Sequence, residues 1–134
     1  MKTLEIRKDW YWVGNLDPGL RVFDILLETE FGTSYNSYIL KGSEKNVLFE
    51  ATKLKCFDEF LERVKSVMPV EEIDYLVVSH TEPDHTGVIE KLLDIHPGLK
   101  IVATGTGIGF MKEICNKDFN AVAVKDGDEI SLGN

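Results

Sequence analysis

The sequence predicts an α/β fold, built on a mixed sheet that starts with antiparallel strands and is flanked by helices. Two observations carry this prediction. Short segments rich in aromatic and branched residues, separated by turn residues, fill the first 50 positions, as is typical of strands joined by turns. From residue 54 onward, apolar residues recur at three- and four-residue steps and alternate with short apolar runs, which indicates helices between parallel strands.

Four strands are predicted in the first half of the chain. They cover residues 9–14, 21–28, 36–41 and 46–50. A turn that contains Pro18 and Gly19 fills residues 15–19, and a hairpin loop at residues 42–45 joins the last two strands. These short connections predict an antiparallel start to the sheet.

Aromatic side chains alternate along the first predicted strand, with Trp10 and Trp12 on one face and Tyr11 on the other. Together with Tyr35 and Tyr38, the tryptophans could form a platform for a flavin. Aromatic residues that alternate along strands usually pack in cores and on sheet faces. We therefore interpret them as packing residues.

The second half alternates between helix and strand. An amphipathic helix is predicted over residues 54–67 and is ended by Pro69. Strands at residues 75–79 and 100–104 enclose a helix at residues 87–95. Such a strand–helix–strand unit predicts that the two strands are parallel and that the connection between them is right-handed.

The chain after the second of these strands carries glycines and a turn signal. Residues 105–109 read GTGIG, which lacks the spacing of a dinucleotide fingerprint because Phe110 occupies the place of the third glycine. We interpret this segment as a flexible turn before a helix at residues 111–116. A final hairpin is predicted from strands at residues 121–124 and 129–132 around an Asp-Gly pair.

Composition argues against several classes of function. The chain has 134 residues, of which 43% are hydrophobic and 28% charged, the profile of an ordinary globular domain. The net charge of −8 argues against binding to nucleic acid or to an anionic membrane, and no apolar run approaches the about 20 residues of a membrane span. The first residues lack the apolar stretch of a signal peptide, so we expect a cytoplasmic protein. Cys56 and Cys115 are far apart, and we interpret them as buried or half-buried thiols without a chemical role.

Four potential metal ligands follow a buried strand: His80, Glu82, Asp84 and His85. Pro83 keeps the residues before it extended, so the first two ligands point the same way. Asp84 and His85 follow the bend and face a second point. The spacing predicts two adjacent metal ions, each bound by one imidazole and one carboxylate. This mixture suits iron or manganese, although zinc also binds such donors.

A simpler interpretation is that Asp84 only caps the helix at residues 87–95 and that the two histidines are solvated turn residues. We favour the metal site, because a cap needs one Asp or Thr and not four ligands after a buried strand. His96 lies at the predicted end of the same helix. We interpret it as a residue that interacts with the helix dipole rather than as a fifth ligand.

Residues 80–87 read HTEPDHTG, which resembles the H-x-E-x-D-H signature of flavodiiron proteins. The segments 11–17, 32–40 and 125–133 resemble the same family in the same order. The resemblance implies the amino-terminal half of a metallo-β-lactamase-like αββα sandwich. Residues 1–134 would then be an incomplete diiron domain, without the flavodoxin-like domain of the family, and the sheet face toward the missing half should stay apolar.

The resemblance also implies an activity, cofactors and partners. Flavodiiron proteins reduce dioxygen to water, or reduce nitric oxide, at two iron ions with electrons from FMN in the flavodoxin-like domain. The electron donor would be a rubredoxin-like protein or a reduced deazaflavin, and the head-to-tail dimer of the family makes a homo-oligomer the expected assembly. His80 and Glu82 would bind one iron. Asp84 and His85 would bind the other.

Two departures from the family bear on activity. The family completes its site with two further histidines and a bridging aspartate that lie further along the chain than residue 134. Glu50 stands where the family more commonly has aspartate, which shifts the carboxylate by one methylene group. With only two ligands for each ion, we expect this chain alone to bind metal weakly and to lack the complete reductase activity.

Two other functions stay open. A metal-dependent hydrolase of the same fold would activate a water molecule that Asp84 orients. A non-catalytic domain fragment would have only a structural or assembly role. Hydrolytic relatives usually carry histidine where Glu82 stands, so Glu82 favours the reductase.

Overall fold

The computed structural model describes residues 3–133. Of the domain predicted at residues 1–134, residues 1, 2 and 134 lie outside the described residues. Its strands are β1 (Leu4–Arg7), β2 (Trp10–Trp12), β3 (Asn15–Asp17), β4 (Val22–Phe23), β5 (Leu27–Glu28), β6 (Thr33–Tyr35), β7 (Tyr38–Lys41), β8 (Asn46–Phe49), β9 (Tyr75–Val77), β10 (Lys100–Ala103) and β11 (Asn120–Ala123). Its α-helices are α1 (Phe57–Val67), α2 (Pro83–Thr86), α3 (Ile89–Ile95) and α4 (Gly105–Ile114). Short 3-10 turns cover Leu54–Cys56 and Val70–Glu72.

Seven of these strands form one sheet in the order β1-β2-β7-β8-β9-β10-β11. The strands β1, β2, β7 and β8 pair antiparallel with one another. From β8 through β9 and β10 to β11 the pairing is parallel. Two short antiparallel pairs, β3 with β6 and β4 with β5, stand apart from this sheet. The mixed sheet with its antiparallel start confirms the predicted fold class.

One face of the sheet carries the hydrophobic core. Ile39, Leu48, Leu76 and Ile101 lie side by side across four strands and are fully buried. Residues of α1, α3 and α4 pack in the same core, among them Phe60, Leu92 and Met111. Burying each large apolar side chain stabilises the fold by about 1.5–3 kcal/mol relative to leaving it in water. The helices therefore fix the strands whose ends carry the predicted ligands.

The opposite face of the sheet is apolar and partly open. Trp12, Tyr38 and Phe49 lie side by side on it and are half-buried. Leu4, which pairs with Trp12 at the edge, is 59% exposed. Residues 124–132 line a groove over another part of this face. An apolar second face is what the sequence led us to expect.

The aromatic residues pack against other protein groups. Trp10 stacks on Phe49 with 5.6 Å between ring centroids, and the Arg63 guanidinium lies 5.0 Å from the centroid of Trp12. Tyr35 is only 3% exposed. These contacts agree with the interpretation of the aromatics as packing residues.

The strand predicted at residues 21–28 is wrong. Asp24 and Ile25 adopt left-handed backbone conformations, with φ of 50° and 70°, and the chain reverses between β4 and β5. The tip of this hairpin leaves the Ile25 side chain 91% exposed. The turn predicted at residues 15–19 is also shorter than expected, because its first three residues form β3 and pair with β6.

The last predicted hairpin forms its turn but not its second strand. The turn is closed by the Asp128 N–H, which donates to the Lys125 carbonyl at 3.0 Å. Residues 129–132 are irregular, and the Leu132 carbonyl accepts from the Glu44 N–H at 2.9 Å. This contact draws the segment toward the β7–β8 loop instead of toward β11.

The helices differ from prediction at two glycine-containing segments. The helix predicted at residues 87–95 is divided into the short helix α2 and the helix α3. Residues 105–109, predicted as a flexible turn before a helix at 111–116, are instead the first half of α4. The Thr104 side chain caps this helix by accepting from the Gly107 N–H at 3.0 Å. The cap offsets the low helix propensity of glycine.

Other predictions are confirmed. The helix expected at residues 54–67 is the first 3-10 turn followed by α1, and the expected parallel pair at residues 75–79 and 100–104 is β9 with β10. Cys56 is half-buried and Cys115 is buried. Burial raises the pKa of the Cys56 thiol, which makes it less reactive. Among the described residues, no helix is both long and apolar enough to cross a membrane.

Candidate metal centre

The candidate site lies at the carboxyl ends of two neighbouring parallel strands, β8 and β9. Glu50 follows the end of β8 at Phe49, and the ligand segment follows the end of β9 at Val77. A backbone hydrogen bond joins these two ends, since the Glu50 N–H donates to the Val77 carbonyl at 2.9 Å. A second one ties the ligand segment to β10, since the Val78 N–H donates to the Val102 carbonyl at 2.9 Å. Rigid strand ends hold such a segment while its side chains converge.

Glu82 and Pro83 mark the change from extended chain to helix. Glu82 is extended, with φ −66° and ψ 156°, as predicted from the proline after it, and Pro83 begins α2. Asp84 and His85 therefore lie on a helical turn, whereas the sequence predicted a bend. The turn is closed by Thr86, whose N–H and hydroxyl both donate to the Glu82 carbonyl, at 3.1 and 3.0 Å.

The four predicted ligands come together in two pairs. His80 Nε2 lies 3.8 Å from Glu82 Oε1, and His85 Nε2 lies 3.4 Å from Asp84 Oδ2. The two imidazole rings stack, with 4.8 Å between their centroids and 28° between their planes. Within residues 3–133, no group of three or more His, Cys, Asp or Glu side chains is placed to hold one ion. The structure thus places one imidazole and one carboxylate in each of two neighbouring pairs.

The two pairs differ in exposure. The side chains of His80 and Glu82 are both 52% exposed, and we call them the exposed pair. Asp84 is 13% exposed and His85 33%, and we call them the anchored pair. In the exposed pair, the Glu82 backbone nitrogen is 3.5 Å from His80 Nδ1, at the outer limit of a hydrogen bond. That contact leaves the exposed pair loosely oriented.

Glu50 contacts the anchored pair from the end of β8. Its Oε2 lies 2.9 Å from His85 Nδ1, and its Oε1 accepts from the Ser79 N–H at 2.6 Å and from the Ser79 hydroxyl. The backbone of Glu50 is left-handed, with φ 59°, a conformation that costs about 1–3 kcal/mol for a residue other than glycine. The sequence marked Glu50 only as a departure from the family pattern, and its contact with His85 was not predicted. The sequence did contain a signal for this contact, because Glu50 is an acidic residue directly after a buried strand.

The backbone of α2 is also tied to the segment after β8. The Ala51 N–H donates to the His85 carbonyl at 3.0 Å. Gly87 allows this close approach, since a Cβ there would lie 2.6 Å from the Leu54 nitrogen and 2.7 Å from the Pro83 carbonyl oxygen. A larger residue at position 87 would push α2 away from the segment that follows β8.

The structure does not support Asp84 as a helix cap. The helix that it was considered to cap is α3, whose N-cap residue is Val88 and which has no side-chain cap bond in the described part of the chain. Glu82 holds the corresponding place before α2. His96 ends α3, as interpreted from the sequence, and its Nε2 lies 2.9 Å from the Ile73 carbonyl oxygen.

Comparison with known proteins identifies the family. A family model described as ODP family beta lactamase matches residues 33–134. The chain belongs to this family. It is 42% identical to the flavo-diiron protein FprA2 of Clostridium acetobutylicum over its full length, which is 34% of that protein. The resemblance to flavodiiron proteins is confirmed.

Solved structures agree with this assignment. The ODP family beta lactamase fold of this chain matches the flavodiiron protein from Giardia intestinalis with a TM-score of 0.92, 25% identity, and coverage of 99% of this chain and 32% of that one. It matches rubredoxin oxygen:oxidoreductase from the anaerobe Desulfovibrio gigas with a TM-score of 0.91, 32% identity, and coverage of 98% and 33%. The chain spans about a third of the length of these relatives.

A polar network joins β3, β6 and the first 3-10 turn. The Tyr35 hydroxyl donates to Asp17 Oδ2 at 2.7 Å, and Lys55 Nζ lies 2.5 Å from the same oxygen. The hydrogen bond from Lys55, followed by that from Tyr35, holds the pKa of Asp17 below its usual range. Burial raises the pKa of Tyr35, and the negative charges of Asp17 and Asp84 add to the rise. Asp84 makes the smallest of these contributions to the raised pKa of Tyr35.

The four candidate donors suit iron in their chemistry. Carboxylate and imidazole in equal number are hard and intermediate donors that suit iron. His85 also carries a hydrogen-bonded carboxylate on its other ring nitrogen, the arrangement that metal-binding histidines almost always show. In this chain Glu50 supplies that carboxylate.

Proposed function

We propose that this chain supplies one side of the diiron site of a reductase that acts on dioxygen or nitric oxide. The observation that supports the proposal is that two imidazole rings stack on each other and that each ring lies close to one carboxylate. Glu82 completes the first pair where hydrolases of this fold carry histidine. An acidic ligand at this position favours redox chemistry at iron over hydrolysis at zinc.

In this proposal His80 and Glu82 hold one iron, and Asp84 and His85 hold the other. When bound, the irons would supply the electrons and the open positions that a diatomic substrate needs. The residues of the chain position the donors. Glu50 and the backbone of α2 orient the anchored pair, and the irregular segment before Pro83 carries the exposed pair.

Electron supply is part of the same proposal. FMN in a flavodoxin-like domain would pass electrons to the irons, and a rubredoxin-like protein or a reduced deazaflavin would reduce the FMN. The name of one structural neighbour, rubredoxin oxygen:oxidoreductase, supports such a donor and dioxygen as a substrate. We propose a homo-oligomer in which the flavin of one copy faces the irons of another. The partly open apolar sheet face offers surface for further protein to pack.

We further propose that residues 1–134 form the first, ligand-bearing part of a metallo-β-lactamase-like diiron domain. With two donors for each ion, the chain alone should bind iron weakly and turn over neither gas. Iron analysis of the purified chain, combined with its mass in solution, tests this expectation. Two tightly held iron ions per chain would contradict it.

A chimera tests the reductase function directly. In this chimera the chain replaces the matching third of rubredoxin oxygen:oxidoreductase from Desulfovibrio gigas. We expect the chimera to bind two iron ions and to consume dioxygen or nitric oxide when reduced rubredoxin is supplied. A folded chimera that binds both irons and consumes neither gas would show that the proposal is wrong.

The match to a family described as beta lactamase favours a second candidate, a metal-dependent hydrolase in which Asp84 orients the attacking water. A Glu82→His variant of the chimera separates the two. The reductase proposal predicts that the variant loses gas consumption. Hydrolysis of an ester or amide by the unchanged chimera, without gas consumption, would favour the hydrolase. A chimera with neither activity would favour the third alternative, a non-catalytic role.

A further inference from the structure

Each polar group of Glu50, in its backbone and in its side chain, contacts a neighbouring polar group. Its N–H donates to the Val77 carbonyl at 2.9 Å, and its carbonyl accepts from the Ser37 hydroxyl at 2.8 Å. One carboxylate oxygen accepts from the Ser79 N–H and hydroxyl, and the other faces His85 Nδ1 at 2.9 Å. The side chain is only 15% exposed. Residue 50 thus joins β8, the end of β9 and the helix α2.

We propose that Glu50 is a positioning residue that fixes the tautomer of His85. An ionised carboxylate only accepts hydrogen bonds. Both ring nitrogens of His85 face a carboxylate, but only Nδ1, at 2.9 Å from Glu50, is within the usual length of a hydrogen bond, whereas Nε2 is 3.4 Å from Asp84. The closer contact with Glu50 therefore places the proton on Nδ1. A neutral His85 then has its proton on Nδ1 and a free lone pair on Nε2. That nitrogen faces Asp84, with 3.4 Å to Oδ2. His85 is therefore prepared to bind a metal through Nε2 together with Asp84 before any metal arrives.

The left-handed backbone of Glu50 shows that surrounding contacts hold this segment in place. A glutamate at φ 59° is strained, and such strain persists where surrounding contacts determine the conformation. The contacts that do so here are those of the backbone of residue 50 and of the next residue, since the Ala51 N–H donates to the His85 carbonyl at 3.0 Å. His85 is consequently held twice from this segment, at its ring and at its backbone.

Glutamine is an isosteric test of this role, because it offers one oxygen where glutamate offers two. If the Gln oxygen accepts from the Ser79 N–H, its NH2 group faces His85 Nδ1 and favours the tautomer with the proton on Nε2. If the oxygen faces His85, the NH2 group faces the Ser79 N–H, and two donors oppose each other. Either orientation loses one of the two contacts. Aspartate is shorter but keeps two accepting oxygens.

The first measurement is the tautomer of His85 in the metal-free chain, from nitrogen-15 NMR at a pH of about 8, where an ordinary imidazole is neutral. We expect the proton on Nδ1 in the wild type and in Glu50→Asp, and a shift toward Nε2 in Glu50→Gln. The matched control Glu71→Gln changes an exposed glutamate outside the site and should keep the wild-type spectrum. If Glu50 only packs, the isosteric Glu50→Gln should keep the wild-type spectrum and the shorter Glu50→Asp should change it, which is the opposite result.

The second measurement is the affinity for Fe²⁺, added anaerobically to the same variants. We expect Glu50→Gln to weaken binding by about 10–100-fold, as is usual when the outer partner of a metal-binding histidine is lost. Glu50→Asp should lose less than about tenfold. Equal affinities for the wild type and Glu50→Gln, with an unchanged tautomer, would overturn the proposal.

The inference rests on the proposed function, because it takes His85 to be a metal ligand, but its failure is distinguishable. The tautomer is read without metal and without activity, so an inactive chimera leaves that result unaffected. Should Glu50→Gln fail to fold, the wild-type spectrum still decides. A wild-type His85 with its proton on Nε2 would contradict the proposal by itself.

Discussion

The exposed pair and the anchored pair contain the same kinds of donor but differ in how the fold holds them. His80 and Glu82 lie in the irregular segment before α2 and are both half-exposed. Asp84 and His85 lie on a helical turn that is bound to the end of a second strand through Glu50 and Ala51. Ligand orientation therefore depends on which rigid elements meet at a site, and donor spacing along the sequence shows only part of it.

The largest difference between the pairs is expected in metal binding. His85→Ala removes a ligand that is already oriented. Loss of a residue that only hydrogen-bonds a ligand costs up to about 100-fold in affinity, so loss of the ligand itself should lower Fe²⁺ affinity by more than that. His80→Ala removes a ligand that must be ordered when metal binds, and we expect a loss nearer about tenfold. Anaerobic Fe²⁺ titration of both variants measures the difference.

His96→Gln serves as the control for this comparison, because His96 contacts the Ile73 carbonyl at the end of α3 and not the ligands. It should keep the wild-type affinity. Equal losses for His80→Ala and His85→Ala would mean that the anchored pair has no advantage in orientation.

The next largest effect is expected in the support beneath the anchored pair. Gly87→Ala would place a Cβ 2.6 Å from the Leu54 nitrogen, and both nearest contacts are backbone atoms that cannot move aside. We expect the free energy of unfolding to fall by about 1–3 kcal/mol, measured by urea denaturation. The control is Gly109→Ala, because no described atom lies within 4 Å of a Cβ at that helical position. It should instead stabilise the chain by about 0.5–1 kcal/mol.

Local patterns predict the ligands of the site but not their support. The four ligands lie within six residues after a buried strand, so their spacing alone brings them together. Glu50 meets His85 across 35 positions of sequence, and Gly87 at the end of α2 packs against Leu54 at the start of the first 3-10 turn. Contacts of this kind depend on which strands are neighbours in the sheet, which short-range periodicity does not reveal.

The same distinction explains where the fold prediction failed. The buried strands were predicted because their apolar runs are continuous, and the amphipathic helix α1 because its period is clear. Residues 105–109 became helix because a Thr104 cap and the burial of Ile108 and Met111 outweighed glycine propensity. Residues 129–132 do not pair with β11 as predicted, because they contact the β7–β8 loop instead. In both places tertiary contacts overrode the predicted pattern, at residues 105–109 together with the local cap at Thr104.

The polar network of Asp17, Tyr35 and Lys55 predicts a smaller effect, a dependence of the free energy of unfolding on pH. Lys55 and Tyr35 hold the pKa of Asp17 below its usual range, so the unfolded chain binds a proton at higher pH than the native chain does. The stability from this network is present above a pH of about 4 and is lost as the pH falls through the lower native pKa. Urea denaturation from neutral to acidic pH should show this loss in the wild type and not in Asp17→Asn. An unchanged acid dependence in Asp17→Asn would contradict the assignment.

The smallest effect is expected when the exposed pair is removed from the metal-free chain. The side chains of His80 and Glu82 are 52% exposed, and their mutual contact of 3.8 Å is too long for a strong ion pair. His80→Ala and Glu82→Ala should each change the free energy of unfolding by less than about 0.5 kcal/mol, measured by urea denaturation without metal. In contrast, His85→Ala leaves the Glu50 carboxylate without one of its donors and should cost about 1–3 kcal/mol. If removing the exposed pair costs as much as removing His85, the fold holds both pairs equally and the distinction between them is wrong.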